Sequence, residues 1–123
     1  SAVTLKLGLT GKEILNGTKN IKPVLGRLEI KKFKDAVVID DTYNSSPASV
    51  ESAVDLIKKI KTHKRKIVVL GDIFELGKQS EKLHKDLAKL FSPEKNLFVL
   101  TTGNMMKHLN KALRKKKVKS IHH

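Results

Sequence analysis

Short β-branched segments recur every ~25–30 residues, an amphipathic segment follows each one, and acids or glycines cluster where each segment ends. These three observations predict an α/β fold, Rossmann-like, with a mostly parallel sheet, helices on both faces and last strands truncated. The 123 residues suit about one domain. Aromatics make up only 4% and Trp is absent, so Val, Ile, Leu and Ala must build the core.

The elements follow in order. Thr10 to Leu15 reads as a short capped helix ended by Gly17, and Gly26 to Ile30 alternates like an exposed strand able to join a hairpin. Asp35 to Asp41 reads as a buried strand, the first of the parallel set. Pro47 to Thr62 is predicted helical: Ser46 suits the N-cap, Pro47 the first helical position, and Val50, Ala53, Val54, Ile57 and Ile60 form an apolar stripe. Lys66 to Leu70 is the next strand, broken by Gly71-Asp72. A helix from Ser80 to Phe91 turns Leu83, Leu87, Ala88 and Leu90 inward. Then come a strand at Asn96 to Thr101, a helix from about Asn104 to Lys115 and a strand starting at Val118 to Ile121.

Composition narrows the function. The chain carries 26 Lys and Arg against 12 Asp and Glu, a net charge of +14. Such a surface attracts polyanions, but without aromatic interleaving or a known nucleic-acid module it reads as a solvated Lys-rich surface, and nucleic acid is disfavoured as a partner. With no Cys, disulfide frameworks and thiolate metal sites are excluded, in keeping with a cytoplasmic protein. No apolar run approaches the ~20 residues that span a bilayer, and the N-terminus lacks the charged segment plus apolar core of a signal peptide. A start at Ser1 rather than Met predicts a piece cut from a longer chain.

Chemistry-bearing residues gather at two strand ends. Asp40-Asp41-Thr42-Tyr43-Asn44-Ser45-Ser46-Pro47 places two carboxylates, a phenol, an amide and hydroxyls at one strand-to-helix turn. Ligands bind at that edge of parallel sheets, and the helix N-terminus offers free N–H groups to an anion. Asp41 and Ser46 could equally be caps, and composition leaves both readings open. Leu70-Gly71-Asp72-Ile73-Phe74-Glu75-Leu76-Gly77 adds acids at the next strand end, beside the first turn if the two strands are neighbours. By itself it is an ordinary βα loop. His84 reads as structural, and His63, His108, His122 and His123 lack metal-ligand spacing. Gly8 to Lys12 lacks the spacing of a phosphate loop, and no nucleophile-and-base set assembles.

Gly26-Arg27, the Asp40 to Pro47 turn, and the Leu70 to Gly77 loop followed by His84 together resemble the C-terminal domain of the Mur ligases. The nearest branch is the one that adds D-Ala-D-Ala to UDP-MurNAc-tripeptide. It has Ala and Asn where this chain has Ser45 and Ser46, an acid at Ala48 and Met at Ile73. Three ordered motifs carry the resemblance from about residue 8 to the end. It implies an ATP-dependent enzyme that works through an acyl phosphate, with ATP and Mg2+ bound mainly by a central domain and the UDP sugar by an N-terminal one. It places residues 1–25 as the tail of the central domain with its linker, and 26–123 as the C-terminal domain. By the same resemblance Arg27, Asp41 and Asn44 approach the nucleotide, and Asp72 and Glu75 shape the dipeptide's pocket. No metal ligand falls in this chain, no cofactor is expected to bind it tightly, and alone it is expected to be inactive. The alternative is a standalone basic Rossmann-like module for a nucleotide or nucleic acid.

Overall fold

The computed structural model describes residues 6–19, 24–60 and 65–123. The chain divides into two compact units, Ser1–Tyr43 and Asn44–His123.

The first unit holds helix α1 (Gly11–Lys19) and strands β1 (Glu29–Lys32) and β2 (Val37–Asp40). Thr10 caps α1 as its sequence predicts: its N–H donates to Glu13 Oε2 at 2.8 Å, and Glu13 N–H returns to Thr10 Oγ1 at 3.4 Å. The Thr10 hydroxyl, donating to the same Oε2 at 2.6 Å, and then the Thr10 N–H hold the Glu13 carboxyl below its ordinary range. The helix runs through Gly17 to Lys19 because Gly17 is not in the left-handed conformation that ends helices, and it buries no side chain.

The hairpin predicted for the segment after Gly26 is present. Strands β1 and β2 pair antiparallel from Glu29 opposite Asp40 to Lys32 opposite Val37, and Phe33 N–H closes the turn on Ala36 O at 2.8 Å. This corrects the expectation that residues 35–41 open the parallel sheet as a buried strand. The segment belongs to a separate two-stranded sheet, and Val37 and Val38 are exposed. A partner only a tight turn away in sequence has little loop-closure entropy to overcome.

The second unit comprises α2 (Pro47–Lys59), β3 (Lys66–Leu70), α3 (Ser80–Asp86), β4 (Leu97–Thr101), α4 (Met106–Lys115) and β5 (Ser120–His122), with 3-10 turns at Gly77–Gln79 and Leu87–Leu90. Ser46 and Ser49 cap α2 reciprocally: Ser49 N–H donates to Ser46 Oγ at 3.1 Å, and Ser46 N–H to Ser49 Oγ at 2.8 Å. The last predicted residues of this helix, Lys61 and Thr62, lie outside the described residues, as does His63. The helix predicted from Ser80 to Phe91 tightens into 3-10 geometry after Asp86. At its end the Lys116 ammonium donates to Ala88 O at 2.8 Å, which also accepts Phe91 N–H, and to Phe91 O at 2.6 Å.

Strands β3, β4 and β5 form a parallel sheet in sequential order. The α/β class and the parallel sheet flanked by helices are therefore as predicted. Among the described residues the connecting helices share one core cluster with one face of the sheet, where the sequence predicts helices on both. There Phe91, Val99, Met106, Leu109 and Leu113 are fully buried, joined by Val50 and Val54 of α2. Each fully buried side chain contributes roughly 1.5–3 kcal/mol. Ile67, Val69 and Ile121, with side chains on the opposite face, are each more than half exposed. No helix among the described residues is long and apolar enough to cross a membrane.

Candidate functional site

The β2 exit turn is built by its own polar groups. Asp40 Oδ2 receives the Lys31 ammonium at 2.6 Å, while its Oδ1 accepts the Thr42 hydroxyl at 2.7 Å and the Thr42 N–H at 3.2 Å. Lys31 first, then Thr42, hold the Asp40 carboxyl down at about 2, and Asp40 raises the Lys31 ammonium in return. Asp41 Oδ1 accepts the N–H of Leu28 at 3.1 Å, and Leu28 lies in the left-handed region at φ 49°. The turn docks on Gly26: Tyr43 N–H donates to Gly26 O at 2.9 Å. A Cβ on Gly26 would sit 3.2 Å from Tyr43 N, and its φ of 70° favours glycine independently.

Arg27 and Asp41 are thus brought together at the base of one hairpin. The Arg27 guanidinium lies 4.3 Å from the centroid of the exposed Tyr43 ring. Stacking on a ring face leaves the in-plane N–H donors of a guanidinium available to an anion. Asn44 begins the second unit. Its Oδ1 accepts the N–H of Ser45 at 2.8 Å, and Ser46 completes the helix cap described above. Of the two open readings of this turn, capping is observed for Ser46, whereas Asp41 bonds the backbone of Leu28 across the hairpin.

The loop after β3 is held from both sides. Asp72 faces α4, accepting Met105 N–H at 3.0 Å and 3.1 Å on its two oxygens and Met106 N–H at 2.8 Å on Oδ1. A carboxylate here complements the helix dipole and satisfies orphan donors. Gly103, at φ 106°, leaves the space it occupies, since a Cβ there would overlap the carboxylate. His84, fully buried, accepts Ile73 N–H on Nε2 at 3.0 Å, and its Nδ1 stands 2.7 Å from Ser80 O. A carbonyl can only accept, so Nδ1 carries the proton and the ring is neutral. The structural reading of His84 holds. Directly after these anchors Phe74 is 81% exposed, and Glu75 is exposed at φ 63° with no hydrogen bond or ion pair among the described residues. Sequence reading passed over Phe74; its signal is a large apolar residue set between two acids in a glycine-bounded loop.

Among the described residues no group of three or more His, Cys, Asp or Glu side chains could hold a metal ion.

Comparison with known proteins adds a second line of evidence. Residues 26–123 match the family described as Mur ligase, glutamate ligase domain. A UDP-N-acetylmuramoyl-tripeptide–D-alanyl-D-alanine ligase of Bacillus subtilis is 33% identical over 99 residues, covering 80% of this chain and 22% of that protein. The enzyme of the same name from Escherichia coli is 33% identical over 85 residues, covering 68% of this chain and 18% of its own length. In three dimensions the chain is similar to a crystal structure of MurF from Acinetobacter baumannii, with TM-score 0.81 and 30% identity, covering 98% of this chain and 25% of that one. The chain therefore spans about a fifth to a quarter of the length of the proteins it matches.

Proposed function

The chain belongs to the Mur ligase family, and from that premise we propose that it is the C-terminal domain of a cytoplasmic ligase that joins D-Ala-D-Ala to UDP-MurNAc-tripeptide with ATP. The carrying observation is the 33% identity to the B. subtilis ligase of that name over 80% of the chain. It favours this reading over a standalone basic module. Residues 26–123 are then the C-terminal domain, and the residues before them end the central one.

In the proposed reaction the γ-phosphoryl group of ATP passes to the tripeptide's terminal carboxylate, giving an acyl phosphate and ADP. The dipeptide's amine attacks the carbonyl carbon, an amide bond forms, and inorganic phosphate and a proton leave. Arg27 meets the nucleotide's phosphates, where a fixed cation stabilises charge on a transferring group. Asp41 holds Leu28 through one oxygen, and its other oxygen serves a ribose hydroxyl. Asn44 lies near the nucleotide, and Asp72 and Glu75 shape the dipeptide's pocket, Asp72 by holding the loop on α4. Magnesium, which neutralises phosphate charge when bound, belongs to the rest of the enzyme on this reading.

The test is phosphate release by the full-length protein. Release that requires ATP, UDP-MurNAc-tripeptide and D-Ala-D-Ala together is expected, with none from the 123-residue chain alone. Release by the full-length protein that ignores D-Ala-D-Ala would sink the proposal.

A further inference from the structure

We infer that Phe74 is a specificity-determining contact for the amine substrate and that His84 is the positioning residue that presents it. The inference rests on the ligase reading above and deepens its dipeptide site.

A lone exposed apolar side chain is ordinary, so the exposure of Phe74 alone decides nothing. The way its backbone is held decides more. On its N-terminal side Ile73 is buried, with its N–H fixed on His84 Nε2, and Asp72 is tied to the backbone of α4. On its C-terminal side Glu75 takes a left-handed conformation that a non-glycine residue resists. Such a conformation persists where the surroundings over-determine it, and it concentrates at ligand sites. A turn needed only for folding would be better served by glycine at position 75 and a polar residue at 74. Instead a buried, neutral, singly oriented imidazole is committed to one loop N–H, and the loop presents an aromatic ring followed directly by a carboxylate.

The loop stands at the carboxyl end of β3, the edge of a parallel sheet where ligands bind. Its two presented groups define the ligand's chemistry. The carboxylate of Glu75 complements an ammonium, and the Phe74 ring complements a small aliphatic group beside it. A short zwitterionic peptide with methyl side chains carries both within a few bonds, whereas a nucleotide or sugar phosphate offers neither.

Steady-state kinetics of the full-length enzyme test this. Phe74→Ala should raise KM for D-Ala-D-Ala about tenfold, the scale of one apolar contact, while KM for ATP and for UDP-MurNAc-tripeptide move less than about twofold. Phe74→Leu should recover most of the loss. His84→Gln, which keeps an acceptor for Ile73 N–H, should stay close to wild type, and His84→Leu should reproduce the selective KM defect. Because Phe74 is exposed, its variants fold whatever becomes of the His84 variants, and they decide the matter. An unchanged KM for the dipeptide in Phe74→Ala overturns the inference. So does an equal rise for all three substrates, which would mark the tip as a contact between domains. If the wild-type enzyme releases phosphate without need of D-Ala-D-Ala, the ligase reading itself has failed.

Discussion

Two acid-bearing turns end two strands of this chain, and they are held by different physics. The turn after β2 is stitched by exposed polar contacts: Asp40 to Lys31 and Thr42, Asp41 to Leu28, and Arg27 against Tyr43. Every buried apolar side chain of the described residues lies at position 50 or beyond, so no core stands beneath that turn in its own unit. The loop after β3 is instead anchored to a packed core through a buried histidine and a helix-capping aspartate. The same residue types thus give a hairpin fixed by surface electrostatics and a loop fixed by burial. Nucleotide contacts are proposed on the first and dipeptide contacts on the second.

The contrast is broken most forcefully through the core. Leu113→Ala, at a fully buried position of α4, should destabilise the second unit by about 2–5 kcal/mol, whereas Val38→Ala in the exposed face of the hairpin should cost less than about 1 kcal/mol. Two probes separate the units in a denaturant titration. Far-UV circular dichroism is dominated by α2–α4, and fluorescence of Tyr43, the only tyrosine in a chain without tryptophan, reports the hairpin. Equal losses from the two substitutions would dissolve the distinction.

Next in size are the anchors of the β3 loop. Gly103→Ala forces a side chain onto the Asp72 carboxylate and keeps an unfavourable φ, and should cost about 1–3 kcal/mol. Combining it with Asp72→Ala relieves the overlap but not the backbone strain. The double variant should therefore be more stable than the sum of the two single losses predicts, and strict additivity would show that the carboxylate is not where the structure places it. His84→Leu leaves the Ile73 N–H without its acceptor, a cost of about 1–3 kcal/mol.

These anchors also mark where the sequence is legible and where it is not. The order of the second unit, the Ser46 and Pro47 start of α2 and the inward positions Val50, Val54, Leu87 and Ala88 are readable because periodicity and capping are local signals. The place of Val37–Asp40 is not, since a β-branched run says nothing of its partner, and a tight turn four residues earlier decides for the hairpin. The roles of Asp72 and His84 depend on partners 33 and 11 residues away, which no spacing rule specifies. Arg27, Asp41 and Asn44 stand out through family resemblance; the residues alone mark a polar turn. Phe74 is invisible until its exposure and the strain beside it are seen together.

The smallest effect probes the hairpin's electrostatics directly. Asp40 has its pKa lowered from the ordinary 3.8 to about 2, first by Lys31 and then by Thr42. A depressed folded-state pKa means that the carboxylate favours folding above the unfolded value, and that this contribution fades as pH falls from about 4 through about 2. Lys31, with its ammonium raised by the same partner, sets the other limit: its contribution holds below the ordinary 10.5 and is lost as pH climbs through the higher folded value. The contact is exposed, so salt weakens it and its worth in stability is small. A carboxyl NMR titration of Asp40 reads it without a stability measurement. The midpoint should lie near 2 at low salt and rise with added salt or in Lys31→Met. A midpoint near 3.8 in the unaltered chain would mean that the hairpin's polar stitching does not form in solution, and the second unit alone would then hold a fixed acidic loop.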